Sequence, residues 1–134
     1  MIKFEKWQGC GNDFVMIDNR ERDFVDNAEK IKFICDRHFG VGADGVIYVL
    51  KSDLADVRMR IFNADGSEAE MCGNGIRCFA KFLLGEGKTK DSLKVQTEAG
   101  ILTVRLNENL VTVDMGEPIL EAERIPVAGY GKNF

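Results

Sequence analysis

The sequence predicts an α+β fold on three observations. Two segments carry helical periodicity, Ala28 to about Arg37 and Ile76 to Leu84. Short apolar or alternating runs before, between and after them read as strands. The last three of these runs are spaced as an antiparallel meander, so strands gather together instead of alternating one for one with helices.

Taken in order, Ile2 to Gln8 is extended, Gly9-Cys10-Gly11-Asn12 bends, and Phe14 to Ile17 is a buried strand, which together suggest a hairpin. Asp26 or Asn27 can cap a helix from Ala28, with Ile31, Ile34, Cys35 and His38 recurring on one face and Gly40 ending it. Val46 to Leu50 is an apolar strand, and Asp56 to Phe62 alternates by twos. Residues 63–75 then bend twice, at Asp65-Gly66 and at the glycines around Asn74. Ile76 to Leu84 has seven apolar residues of nine, interrupted only by Arg77 and Lys81, the pattern of a helix buried nearly all round. Gly85 caps it. Strands at Leu93 to Thr97, Ile101 to Leu106 and Leu110 to Met115 form the meander. Residues 1–116 are expected to form the domain. Residues 117–134, which hold both prolines and no clear periodicity, are expected to be a connector.

A chain of 134 residues with 45% hydrophobic and 30% charged side chains buries a core of its own, which excludes disordered and low-complexity classes. A net charge of −4 argues against nucleic acid or anionic lipid as partners. No long apolar run and no signal peptide are found, so the expectation is a cytoplasmic chain without a membrane span. Cys10, Cys35, Cys72 and Cys78 are expected as free thiols. Without a Cys-x-x-Cys pair and with His38 the only histidine, no metal site is expected.

Gly40-x-Gly42-x-x-Gly45 matches a dinucleotide-binding fingerprint in letters, but here a helix precedes the loop and a strand follows, the reverse of what that chemistry needs. A surface loop is the better reading. Gly87-Lys88-Thr89 imitates the end of a phosphate-binding loop but has Phe82 where the first glycine belongs. Asn63-x-Asp65-Gly66 hints at a calcium loop whose first ligand would be Ile61, which has no side-chain oxygen.

Cys72-Gly73-Asn74-Gly75 places a thiol at the entrance of the buried helix, where unpaired N–H groups would stabilise a thiolate or grip a carboxylate. Cys78 lies about 240° further around that helix and is read as packing. Cys10 and Cys35 are assigned to structure, and His38 to a helix end and not to a Cys72 dyad. Asn12, Asn63 and Asn74 all stand on glycine-rich bends; beyond turn geometry, three neutral amides suit the ammonium and carboxylate groups of an amino acid.

The strings Gly11-Asn-Asp-Phe14, Arg60-Ile-Phe-Asn-Ala-Asp-Gly-Ser-Glu68 and Met71-Cys-Gly-Asn-Gly-Ile-Arg-Cys-Phe-Ala80 together resemble the diaminopimelate epimerases, over essentially the whole chain but only the first half of that enzyme. The resemblance implies interconversion of L,L- and meso-diaminopimelate without a cofactor, in lysine and cell-wall biosynthesis, by two cysteines on opposite sides of the α-carbon. It makes Cys72 one catalyst, Asn12 and Asn63 substrate-binding amides, and Gly73 and Asn74 the helix-start groups that hold the α-carboxylate. Gly45 stands where some members carry Gln. The implied fold has two similar halves, each a mostly antiparallel sheet wrapped around a central buried helix, here the Ile76 helix. The implied partners are a small amino-acid substrate and the second half of the same enzyme, with room for a homodimer. The second cysteine and the distal binding groups belong to that second half, which also returns a strand to the first, so these residues alone are expected to be inactive and to expose an edge or a bare core face. Competing readings are a related racemase for another amino acid, a non-catalytic binding or dimerisation half, and a cysteine hydrolase, which would need His38 beside Cys72.

Overall fold

Side chains along a strand point alternately to its two faces, and the central strands of this chain are apolar at both. In the computed structural model, which describes residues 3–70, 72–85, 91–107 and 110–114, both faces are covered, each by a different helix. The strands are β1 (Glu5–Gly9), β2 (Asn12–Asp18), β3 (Gly45–Leu50), β4 (Val57–Asn63), β5 (Glu68–Ala69), β6 (Ser92–Thr97), β7 (Gly100–Asn107) and β8 (Leu110–Asp114). The helices are α1 (Ala28–Cys35), between β2 and β3, and α2 (Gly73–Leu84), between β5 and β6.

One sheet takes the order β1-β2-β3-β4-β6-β7-β8, with β5 added to β4. Antiparallel pairs predominate as expected, and the β6-β7-β8 meander is present. The sheet is nevertheless mixed, because β2 pairs with β3 and β4 with β6 in parallel. Each parallel junction is bridged by a helix, α1 across the first and α2 across the second, as parallel neighbours require a long crossover.

On β2, Phe14 and Met16 join the core under α2, while Val15 and Ile17 join the core under α1. On β3 the division repeats: Ile47 and Val49 face α2, while Val46, Tyr48 and Leu50 face α1. Helix α2 lies against β1, β2, β3, β6, β7 and β8 and buries Ile76, Cys78, Phe79, Ala80 and Leu84. Arg77 and Lys81 are its exposed interruptions, and Phe82 and Leu83 are half-buried. Among the described residues no helix is long and apolar enough to cross a membrane.

Several boundaries differ from expectation. Helix α1 ends at Cys35, not Arg37, because Asp36 turns extended and its carboxylate accepts the backbone N–H groups of His38 and Phe39, each at 2.8 Å. His38 is thereby left outside the helix and exposed. Asn27 is the cap, accepting the Lys30 N–H at 2.8 Å. Asp26 instead accepts the hydroxyl of buried Tyr48 at 2.5 Å and pairs with Lys30 at 2.9 Å, which ties the helix start to β3. Helix α2 starts at Gly73, ahead of the apolar run, since its cap is Cys72. Strand β5 was not foreseen; two residues carry no periodicity. The connector expected at 117–134 lies outside the described residues.

The starts of β2 and β3 are locked by charge. Asp13 and Asp44 exchange backbone N–H to carboxylate bonds at 3.0 and 2.9 Å, Arg37 reaches Asp13 at 2.9 Å and Asp44 at 3.2 Å, and Lys6 pairs with Asp13 at 3.1 Å. The Arg37 guanidinium, then Lys6 and the Asp44 groups, hold the Asp13 carboxyl well below the usual carboxylate range against the opposing effect of burial. A second lock is steric. Gly66, in the turn after β4, has φ +88°, and a β-carbon there would stand 2.8 Å from both Cβ and the carbonyl oxygen of Ala28 at the start of α1.

Two outcomes follow. A depressed folded-state value means the Asp13 carboxylate stabilises the fold above its unfolded value near 4 and loses that contribution as pH falls through the folded value. Asp13→Asn therefore lowers stability by about 1 kcal/mol at pH 7, and urea unfolding of the two proteins converges as the pH is taken below about 4. Gly66→Ala, strained in backbone and in contact, costs about 1–3 kcal/mol in the same measurement.

Candidate functional site

The first turn of helix α2 is packed tightly onto the sheet at Gly75. A β-carbon at Gly75 would meet Ile61 Cδ1 at 3.2 Å and Ile47 Cδ1 at 3.3 Å, so the first turn of α2 lies directly on β3 and β4. The tip of the β1–β2 hairpin closes over the same turn. A β-carbon at Gly9 would lie 3.4 Å from the Asn74 carbonyl oxygen and 3.4 Å from Cys78 Sγ.

Cys72 is the N-cap, in extended backbone (φ −140°, ψ 116°), and its Sγ accepts the Gly75 N–H at 3.4 Å. The residue is half-buried, packed on the edge of the α2 core. Asn12, the first residue of β2, comes to it from the hairpin side, with Nδ2 at 3.9 Å from Sγ. Gly73 is exposed, and nothing lies within 4 Å of where its β-carbon would be. The arrangement is a half-open thiol beside helix-start N–H groups, with an amide donor on one side and open space around Gly73.

Asn12, Cys72, Gly73 and Asn74 are thus brought together. Asn63 is on the same end of the sheet, since Phe14 pairs with Gly45 and Gly45 with Asn63, but its amide donates to Ser67 Oγ at 3.0 Å within its own turn. Gly45 is packed closely: a β-carbon would stand 2.5 Å from the Phe62 carbonyl oxygen.

The other thiols divide by environment. Cys78 and Cys35 are buried, and burial pushes both thiols up, for Cys78 with a further push from neighbouring Cys72. Cys10 corrects the expectation of a structural cysteine, because it is exposed on the hairpin turn at φ 53° and fills no core. His38 is in the turn that follows α1, whose core is on the opposite face of the sheet from α2, and the hydrolase dyad fails. The contact between Asn12 and the sulfur went unforeseen; sixty positions separate the two residues, and no local signal joins them.

The Gly40–Gly45 segment is a loop leading into β3 and is only partly at the surface: Val41 and Asp44 are exposed, while Gly42, Ala43 and Gly45 are buried. The N–H groups of Gly40, Val41, Gly42 and Ala43 are spent on the carbonyls of Asp36, Ile34, Ile34 and Cys35, which leaves none of the four for a phosphate. In the supposed calcium turn, Asp65 Oδ1 is taken by the Ser67 amide and hydroxyl at 2.9 and 2.5 Å. Among the described residues no three His, Cys, Asp or Glu side chains are grouped to hold a metal. Gly87-Lys88-Thr89 lies outside the described residues.

The sequence profile of the diaminopimelate epimerase family matches residues 4–121. A diaminopimelate epimerase of Methanococcus maripaludis is 50% identical over 132 residues, covering 94% of this chain and 48% of the relative. One from Agathobacter rectalis is 53% identical, covering 94% and 46%. The chain spans about half the length of the curated relatives it matches. Among solved structures, a Bacillus anthracis phenazine biosynthesis protein of the PhzF family superposes with TM-score 0.58 at 28% identity, over 84% of this chain and 38% of that one. A hydroxyproline epimerase from Agrobacterium vitis, solved with bound trans-4-OH-L-proline, reaches TM-score 0.62 over 84% of this chain and 40% of that one; at 14% identity it speaks to fold alone. With its cysteine-capped helix and a profile match that runs from β1 past β8, this chain belongs to the diaminopimelate epimerase family.

Proposed function

We propose that this chain is the N-terminal half of a cofactor-independent epimerase that interconverts L,L- and meso-diaminopimelate in cytoplasmic lysine and peptidoglycan biosynthesis, with Cys72 one of two acid/base catalysts. The observation that carries the reading is the position of Cys72 Sγ at the mouth of α2, half-open, with the Gly75 N–H at 3.4 Å and the Asn12 amide at 3.9 Å. In this reading α2 is the central helix around which the sheet wraps, residues 1–116 are the domain, and 117–134 lead to the second half.

The chemistry asks for what this end of the sheet supplies. An α-proton is weakly acidic, so its removal needs a poised base and donors that receive the charge delocalised into the carboxylate. The first N–H groups of α2, around Gly73 and Asn74, have no partner within the helix and are aimed at an anion. Cys72 as thiolate takes the Cα proton, and the electron pair passes into the carboxylate. A thiol of the second half, on the opposite face, then returns a proton to Cα. The substrate is inverted, and the two sulfurs have exchanged protonation states. Asn12 and Asn63 line the approach as neutral amides, which suit a zwitterion without changing the charge of the site. The second half is the essential partner, and a homodimer is compatible with the arrangement.

Cys72→Ala in the intact enzyme should reduce epimerisation by about 10²–10⁴-fold, read as deuterium uptake at Cα in heavy water. Cys72→Ser, which keeps a good helix cap, should lose comparable activity while the unfolding midpoint stays near that of the parent. Turnover retained in both variants would overturn the assignment. Parallel assays on proline and histidine separate diaminopimelate from the substrates of a related racemase.

A further inference from the structure

We propose that Asn12 is a thiol-orienting residue: its side-chain amide donates to Cys72 Sγ in the ligand-free protein and so helps to hold that sulfur as a thiolate aimed out of the helix mouth. Two donors converge on the sulfur from different parts of the fold. The Gly75 N–H reaches it from within α2 at 3.4 Å, and Asn12 Nδ2 reaches it from β2 at 3.9 Å. A thiolate accepts such bonds more strongly than a thiol, so each donor favours the charged sulfur.

The backbone of Asn12 is placed by strand pairing and by the ion pairs of its neighbour. Its backbone pairs with Gly9 at the closed end of the β1–β2 hairpin, and the next residue, Asp13, is locked by Asp44, Arg37 and Lys6. A β-carbon at Gly9 would just touch the Asn74 carbonyl oxygen and Cys78 Sγ, each at 3.4 Å. The amide therefore arrives at Cys72 from a rigid platform and not from a free loop. Cys78, the other thiol of α2, is buried, and burial pushes its thiol up, so it does not compete for these donors as a charged sulfur. The catalytic consequence rests on the proposed function, but the contact itself can be tested without turnover.

The experiment is alkylation of the intact protein by iodoacetamide across pH, read by mass spectrometry on the tryptic peptide that carries Cys72, which ends at Arg77 and holds neither Cys10 nor Cys78. In Asn12→Ala the midpoint of the alkylation profile should move to higher pH, and the rate at pH 7 should fall about threefold to tenfold, with the high-pH plateau preserved. Asn12→Asp keeps the shape, removes the donor and adds a like charge, so its shift should be at least as large. A residue that merely shields the sulfur would scale the rate equally at every pH and leave the midpoint in place. That result, or an unmoved midpoint in both variants, overturns the inference. Should Asn12→Ala fail to fold, as judged by circular dichroism, the near-isosteric Asn12→Asp carries the test. Turnover surviving Cys72→Ala would remove the functional reading, whereas an unmoved midpoint removes the Asn12 inference alone.

Discussion

Gly75 has no side chain, and the geometry around Cys72 is built on that absence. A β-carbon at Gly75 would stand 3.2 Å from Ile61 Cδ1 and 3.3 Å from Ile47 Cδ1, so a larger residue is accommodated only if those two side chains, or the first turn of α2, give way. Lifting that turn would carry Cys72 away from the hairpin and draw its sulfur out of reach of Asn12. The close approach costs some helix propensity, because three of the first four positions of the segment Cys72 to Gly75 are either glycine or the cap. Burial of Ile76, Phe79 and Leu84 in the core below offsets it, at roughly 1.5–3 kcal/mol for each large side chain.

The parallel junctions have a consequence for the same end of the sheet. A hairpin alone would connect β2 to an antiparallel neighbour; the α1 crossover instead brings the beginning of β3 beside the beginning of β2. Asp13 and Asp44 are neighbours for that reason, and their mutual backbone bonds, held by Arg37, close both strand starts at once. Since β4 runs back antiparallel to β3, its last residue, Asn63, returns to the same end. Topology therefore sets Phe14, Gly45 and Asn63 in one row, with Asn12 two residues before Phe14 on β2 and the N-terminus of α2 beside Asn12.

Much of this was legible from residue patterns, and the failures have physical causes. The two-residue alternation of β4 and the apolar run of β3 identified the strands, and the helices were placed by caps and periodicity. Periodicity cannot report how strands pair, so the two parallel junctions escaped. Apolar periodicity starts α2 only at Ile76, because the residues that open it, Gly73, Asn74 and Gly75, are weak helix formers, and of the three Gly75 packs tightly on the sheet. Helical spacing alone places His38 on the face of α1; Asp36, by accepting two amides of the next turn, ends the helix first. At the site, the string around Cys72 was readable because a cysteine before glycines at a helix start is a local feature. The Asn12 contact is a product of tertiary packing and was not.

Cys72 and Cys78 show how far position alone can separate two identical side chains. They stand six residues apart on one helix and are close enough to influence one another electrically. Cys78 faces inward, among the side chains under the sheet, where a charge would be stripped of water and is disfavoured. Cys72 caps the helix, where the first N–H groups point outward and solvent is still within reach. In the proposed reaction the thiol carries charge for part of each cycle, and of the two positions the half-buried cap suits that better than the buried interior.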